Sequence, residues 1–324
     1  MSRFIILCLA TLTWVCSLAG CATQPHATQN LTVQMDCGRL PVTVTYADEH
    51  ATVNAGEAEL MLKAVRSASG AKYQLPDNEQ TFFWSKGNSA YLQIAGRLWP
   101  DCIERGSLPD RLQARGNEPF WKTDVHGDQL TVRTPDNPDP TPVTGHRQAL
   151  ANGGIRISAQ VDGVEVVLDI YQQLCKDSMT GMPYPYRAEL TRDQILAQGC
   201  AGAPENLLQG AAWRVIAIDD ELVAEDAIGT IEFFADGLVA GQAFCNRYSG
   251  RHTLSGEGLR IGPLASTRMA CSEPLMVLEN RLIQYLDQVI GFDIGTNGEL
   301  VLLAADNRRL SARLQIDQPT LHAQ

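Results

Sequence analysis

The sequence predicts a mainly β protein assembled from several modules, and three observations predict it. Apolar residues recur at every second position in short runs separated by Gly, Asn and Asp turns. The chain, at 324 residues, is too long for one typical core. Only one stretch, Glu273 to Ile290, places apolar residues (Leu275, Leu278, Leu282, Leu286, Val289) at helical spacing, which predicts a single amphipathic helix packed on a sheet.

Residues 1–20 read as a secretory signal: Arg3 is the positive charge, Phe4 to Val15 the apolar run, and small residues precede Cys21. Leu18, Ala19, Gly20 and Cys21 resemble the lipobox of bacterial lipoproteins, which implies that Cys21 becomes the acylated N-terminus. The bland alternative is an ordinary cleavage site followed by a free or disulfide-forming cysteine. Several acyl chains anchor a soluble domain where one does not, each buried methylene contributing about 0.8 kcal/mol. Ala22 in place of Asp after the cysteine implies the outer membrane, and residues 21–32 read as a lipidated, flexible tether.

Setting aside Cys8 and Cys16 with the signal, and Cys21 to lipid, leaves Cys37, Cys102, Cys175, Cys200, Cys245 and Cys271. An even number in an exported chain predicts disulfides; six cysteines allow fifteen connectivities, and the simplest pairs neighbours. That pairing gives one bridge to each of three blocks, 33–105, 114–203 and 207–316, divided by the polar stretches Pro109 to Gly116 and Gly199 to Asn206. Each bridge is expected to stabilise its block by roughly 3 to 4 kcal/mol. No CxxC or Cys/His ligand spacing is present, so neither a metal nor another cofactor is expected.

In the first block, Val42, Val44 and Tyr46 alternate with Thr, and Glu57 to Val65, Thr81 to Trp84 and Tyr91 to Ile94 follow as short strands. This pattern predicts an antiparallel barrel or sandwich. Two small-residue turns, Ser67 to Gly70 and Ser85 to Asn88, present hydroxyls and the Lys86 ammonium. Read by residue type alone, these are turn formers and a solubilising lysine, while Phe82, Phe83 and Trp84 read as core or barrel rim.

Taken in order, Ser67 to Tyr73 and then Phe83 to Gly87, inside the Cys37 to Cys102 bracket, resemble the membrane-bound inhibitors of c-type lysozyme. Those are small disulfide-closed β-barrels, and the resemblance covers about a quarter of the mature chain. It implies a c-type lysozyme as partner, Ser69 and Lys86 as the contacting groups, and Tyr73 as support for the first loop. The chemistry is sound, because a glycosidase cleft holds two carboxylates flanking the scissile bond. Between Met35 and Glu104, nine Asp or Glu oppose six Lys or Arg, a balance that steers a basic partner. The whole-chain net charge of −11 argues against nucleic acid.

The second block opens with GNEPFW (Gly116 to Trp121) and carries strand-like runs at Gln129 to Arg133, Gly154 to Gln160 and Gly163 to Tyr171. With the segment after Cys175 it resembles an uncharacterised envelope lipoprotein family, which implies a β-rich fold and no activity. Asn117, Glu118, Asp177, Ser178 and Tyr184 are candidates for a polar site, with cap and turn roles as the alternative. His126 and His146 fall in apparent loops without partners.

The third block has strands at Trp213 to Ile218 and Gly229 to Phe234, a loop from Gly241 to Gly250, the helix, and a final hairpin turning at Asp306 and Asn307. Cys245 to Gly250 and Ala265 to Cys271 resemble the META (HslJ-like) domain, which implies an α+β fold and an association with envelope stress. Asn246, Arg247 and Arg268 are ligand candidates, with loop-pinning as the alternative. The expectation is therefore a non-enzymatic, lipid-anchored lysozyme inhibitor with two further modules; the alternative is a non-inhibitory envelope scaffold.

Overall fold

The computed structural model describes residues 30–210 and 212–315. The leader, Cys21 and residues 21–29 of the tether lie outside the described residues. What is described is mainly β, with one α-helix near the C-terminus.

Nine strands form the first module: β1 (Leu31–Cys37), β2 (Leu40–Ala47), β3 (His50–Ala55), β4 (Ala58–Val65), β5 (Ala71–Leu75), β6 (Asn78–Lys86), β7 (Ser89–Ile94), β8 (Arg97–Leu98) and β9 (Cys102–Glu104). Each of β1 to β7 pairs antiparallel with the next, and β9 pairs with both β7 and β1, closing an eight-stranded barrel with β8 appended to β7. The period-two pattern drives this closure. Leu40, Val42 and Val44, then Ala51, Val53 and Ala55, then Leu60 and Leu62 all point inward and pack with Phe83 and Leu92. A one-residue slip would turn each set out to water, so register is strongly specified. Cys37 and Cys102 are directly paired across β1 and β9 and joined by a disulfide at the seam. Alternating strand direction puts residues 66–70, the Gly87–Asn88 turn and the start of β1 at one end of the barrel.

The second module contains β10 (Arg111–Asn117), β11 (Phe120–His126), β12 (Gln129–Arg133), β13 (Val143–Thr144), β14 (His146–Ala149), β15 (Gly154–Val161), β16 (Val164–Tyr171), β17 (Cys175–Lys176), β18 (Pro183–Tyr184), β19 (Tyr186–Arg192) and β20 (Ile195–Ala201). β13 pairs with β12 while β14, one residue further on, pairs with β15, and β20 returns to β10. The chain therefore runs round an eight-position ring in the same sequential order as the first barrel. Of the polar stretches expected to separate blocks, Pro109 to Gly116 is mostly strand β10, while Gly199 to Asn206 runs from the last residues of β20 into a 3-10 turn at Pro204–Leu207. Leu112, Ala114 and Ala201 face the core, and their polar neighbours face out, so composition alone disguised the alternation. His126 and His146 likewise end and begin strands, where loops were expected.

The third module holds β21 (Ala212–Ile218), β22 (Glu221–Leu222), β23 (Thr230–Phe233), β24 (Leu238–Ala243), β25 (Asn246–Ser255), β26 (Gly258–Ser266), α1 (Glu273–Leu286), β27 (Val289–Ile294), β28 (Leu300–Ala304) and β29 (Arg309–Gln315). Its order is β26-β25-β24-β23-β21-β29-β28-β27, with β22 beside β21. The stretch Gly241 to Gly250, expected as a loop, is the β24–β25 hairpin, turning at Phe244 and Cys245. Helix α1 buries Leu282, Tyr285 and Leu286 against the sheet but stops at Leu286, short of the expected Ile290. Val289 is β-branched and pairs with Ala304 of β28, and this tertiary pairing overrides the helical spacing.

The modules are packed together. The β17–β18 hairpin sends Met182 and Tyr184 into the third module's core, and the Cys175–Cys200 disulfide ties the hairpin back to β20. At the far end of the first barrel, Arg97 meets Glu232 at 2.7 Å, and Trp99 and Pro100 pack on Gly210.

Candidate functional site

The two turns singled out in the sequence meet at one end of the first barrel. Ser67 Oγ donates to the carbonyl oxygens of Ser69 (3.2 Å) and Gly70 (2.9 Å), which shapes the first turn from within. Gly70 has φ +65°, and a Cβ there would lie 2.2 Å from Ser85 O and 2.9 Å from Lys86 Cγ. Only glycine allows the turns to touch. Lys86 is the last residue of β6 and precedes the Gly87–Asn88 turn, where the sequence had suggested a position at its tip.

Two residues beneath the rim close the barrel mouth. Tyr73 on β5 packs against the core, and its ring lies 5.5 Å from that of Tyr46 on β2. Burial pushes the Tyr46 hydroxyl pKa up, while a hydrogen bond with Ser85 works in the opposite direction. Ser69 and Lys86 at the rim are exposed, while Tyr73 is partly buried.

Trp84, expected as core or barrel rim, and Tyr91, given no role from sequence, both stand beside Lys86. Phe83 is fully buried, so its neighbour Trp84 faces outward, where its indole N–H donates to Ser69 O at 2.8 Å. Lys86 Nζ lies 4.0 Å from the Trp84 ring centroid and 5.6 Å from that of Tyr91. The strand parity of Phe83 held this signal, but an unbroken Phe-Phe-Trp run does not declare which members face in.

The other sequence candidates act as fasteners. Asn117 Nδ2 donates to Asp177 and to Ser178, each at 3.0 Å, joining the GNEPFW turn to the segment after Cys175. Burial raises the Asp177 pKa, but bonds from the Thr180 backbone, the Asn117 and Thr180 side chains and the Met179 backbone outweigh it and hold the carboxyl below its ordinary value. Glu118 lies in the turn, and Tyr184 is buried with the Arg115 guanidinium over its ring. In the third module Asn246 Nδ2 donates to both Glu279 oxygens, while its Oδ1 accepts from Thr267 Oγ1 and Met269 N. This cluster clamps helix α1 to the loop closed by Cys245–Cys271, and the Arg247 backbone N–H joins it by donating to Thr267 Oγ1. A cleft of about 1050 Å³ lies where the modules meet, and the Arg105–Asp36 ion pair sits on its first-barrel wall. Among the described residues no group of His, Cys, Asp and Glu is arranged to hold a metal.

The first module is thus a disulfide-closed barrel with two touching turns at one end and the Lys86 ammonium laid over the Trp84 ring. Residues 36–97 match the family model of membrane-bound lysozyme-inhibitor of c-type lysozyme, and residues 206–316 match that of the META domain. Each match covers one module of the chain and less than half of its length. A curated relative from Yersinia enterocolitica serotype O:8 / biotype 1B, the membrane-bound lysozyme inhibitor of C-type lysozyme, is 40% identical over 82 residues. That alignment spans 24% of this chain and 65% of the relative. Two structures determined by NMR are also similar. One, of a protein from Burkholderia xenovorans, is 24% identical over 34% of this chain and 86% of that one, with a TM-score of 0.29. The other is 29% identical over 35% of this chain and 95% of that one, with a TM-score of 0.30.

Proposed function

We propose that this chain is an envelope protein, lipid-anchored through Cys21 at the outer membrane, whose first barrel inhibits a c-type lysozyme. Ser69 and Lys86 enter the enzyme's cleft, with Tyr73 supporting the first turn from below. The observation that supports the reading is the contact between the two turns, where Gly70 lies against Ser85 and Lys86 and the Ser69 carbonyl accepts from Trp84. A cleft with two carboxylates is the complementary surface. An ion pair at about 4 Å gains roughly 4 kcal/mol at an effective dielectric of 20, less the cost of desolvation. Shape complementarity of the turns supplies the remainder of the affinity. The protein binds rather than turns over, and the META and middle modules serve an envelope-stress role or hold the barrel in place.

Purified mature protein is expected to abolish hydrolysis of peptidoglycan by hen egg-white lysozyme. Lys86→Ala should weaken inhibition about 100-fold, as expected when one partner of a buried charge pair is removed. Ser69→Ala should weaken it about tenfold, the loss of one charge-assisted hydrogen bond. Hydrolysis untouched at micromolar excess of the wild type would overturn the proposal in favour of a non-inhibitory scaffold.

A further inference from the structure

We infer that Trp84 is a positioning residue that joins the two turns into a single plug and pre-sets the Lys86 ammonium within it; this rests on the reading of the rim as an inhibitory surface. Alternation along β6 sends Thr81 and Phe83 into the barrel, so Trp84 has no core to fill. An indole on the outer face of a small barrel needs another reason to be there. Its two chemical ends each find one of the turns. The N–H donates to the Ser69 carbonyl at 2.8 Å, and the ring face carries Lys86 Nζ at 4.0 Å. Tyr91 is directly opposite Trp84 in the β6–β7 register, with its ring 5.9 Å away and tilted by 51°. It gives the ammonium a second aromatic face at 5.6 Å.

The consequence concerns the free state of the protein. A solvent-exposed lysine samples many rotamers and gives up that freedom when it binds. Lys86 is already laid along two rings, so less freedom remains to be lost. A ring face holds an exposed ammonium more weakly than a carboxylate does, so a partner's carboxylate can take it over without first breaking an ion pair. The same indole fixes the Ser69 carbonyl, so the hydroxyl and the ammonium keep their spacing when the partner arrives.

The test uses the full mature chain and hen egg-white lysozyme, with Trp84→Phe, Trp84→Leu, Tyr91→Leu, Lys86→Ala and the Trp84→Leu/Lys86→Ala double variant. Two readouts are taken: binding kinetics, and the NMR shifts of the Lys86 ε-methylene, which ring currents move upfield when the chain is stacked. Trp84→Phe retains a ring face and lacks the N–H. It should keep most of the upfield shift, speed hydrogen exchange at the Ser69–Gly70 turn, and raise Kd about fivefold, chiefly through dissociation. Trp84→Leu should abolish the shift and raise Kd about 30-fold, and adding Lys86→Ala to it should cost far less than Lys86→Ala alone, because coupled residues are not additive. Tyr91→Leu, which leaves the Ser69 bond in place, should give a smaller loss and serves if Trp84→Leu fails to fold. Unshifted Lys86 signals in the wild type, or losses that simply multiply, would overturn the inference. If the wild type does not bind lysozyme at all, the functional reading fails, while the Lys86 shift and its loss in Trp84→Leu still decide whether Trp84 positions the ammonium.

Discussion

Gly70 shows how one residue can set the geometry of a surface. Its positive φ and the 2.2 Å approach to Ser85 O mean that any side chain both strains the backbone and pushes the turns apart. Gly70→Ala should cost about 1 to 3 kcal/mol locally and lower inhibition at least tenfold, with the barrel still folded by circular dichroism. Gly116 plays a packing role instead: a Cβ there would lie 2.2 Å from Trp121 Nε1, so the glycine of GNEPFW makes room for its own tryptophan at the seam with β20. His252 is a residue whose protonation bears on stability near neutral pH. It is buried against Phe233, its Nδ1 faces Leu238 O, and burial lowers its pKa, aided by Arg251 and opposed by that carbonyl, Asp236 and Glu205. With the folded pKa below the unfolded one, the unfolded chain takes up the proton first. The stability is therefore present above the unfolded value of about 6.5 and is lost as pH falls toward the folded pKa. Thermal unfolding followed from pH 8 to 5 should show a decline that His252→Leu flattens.

At the scale of elements, β6 and α1 make opposite points about periodicity. The two-residue repeat of β6 carries both the core (Phe83) and the rim (Trp84), and each face is specified because the other is buried. Helix α1 follows its 3.6-residue repeat only as far as Leu286; the strand partner waiting for Val289 then takes over. The other end of the helix starts with Pro274 in the first turn, and the Asn246–Glu279 clamp holds the helix at mid-length. Glu279→Ala leaves the partly buried Asn246 amide short of acceptors. It should destabilise the third module by about 1 to 3 kcal/mol, measured by urea denaturation, and should leave lysozyme inhibition unchanged. A matching loss of inhibition would show that the modules are coupled more tightly than their packing indicates.

For the whole molecule, the decisive feature is that the second module lends residues to the third module's core. Met182 and Tyr184 come from the β17–β18 hairpin, which lies between the sixth and seventh positions of the second ring, and Lys176 pairs with Asp293 across the same seam. In the first barrel the sixth and seventh strands enclose the Gly87–Asn88 turn, so the equivalent place in one ring serves as an exposed rim and in the other as a docking hairpin. Tyr184→Ala should cost about 3 to 5 kcal/mol, as for other large-to-small core changes. In calorimetry it should lower the unfolding temperature of the third module while the first barrel's transition stays in place. A uniform shift of all transitions would refute that assignment.

Much of the fold was legible in the sequence, because period-two alternation and turn residues are local properties that survive into the folded state. The barrel strands of the first module, the single helix and the two polar turns could all be read this way. The polar strands β10 and β20 could not, because their alternation is masked by small inward residues such as Ala114 and Ala201. Ser69, Lys86 and Tyr73 were named from a spaced motif that also contains Trp84; that Trp84 and Tyr91 meet Lys86 was not legible, since it depends on which face of β6 is buried and on the register with β7. By itself the sequence determined which residues alternate, which turn and which are cysteines. Tertiary structure alone decided that the two turns touch, that one indole spans them, and that a hairpin of one module completes the core of the next. Those contacts join positions far apart in the chain, and only closure of the barrels brings them within reach.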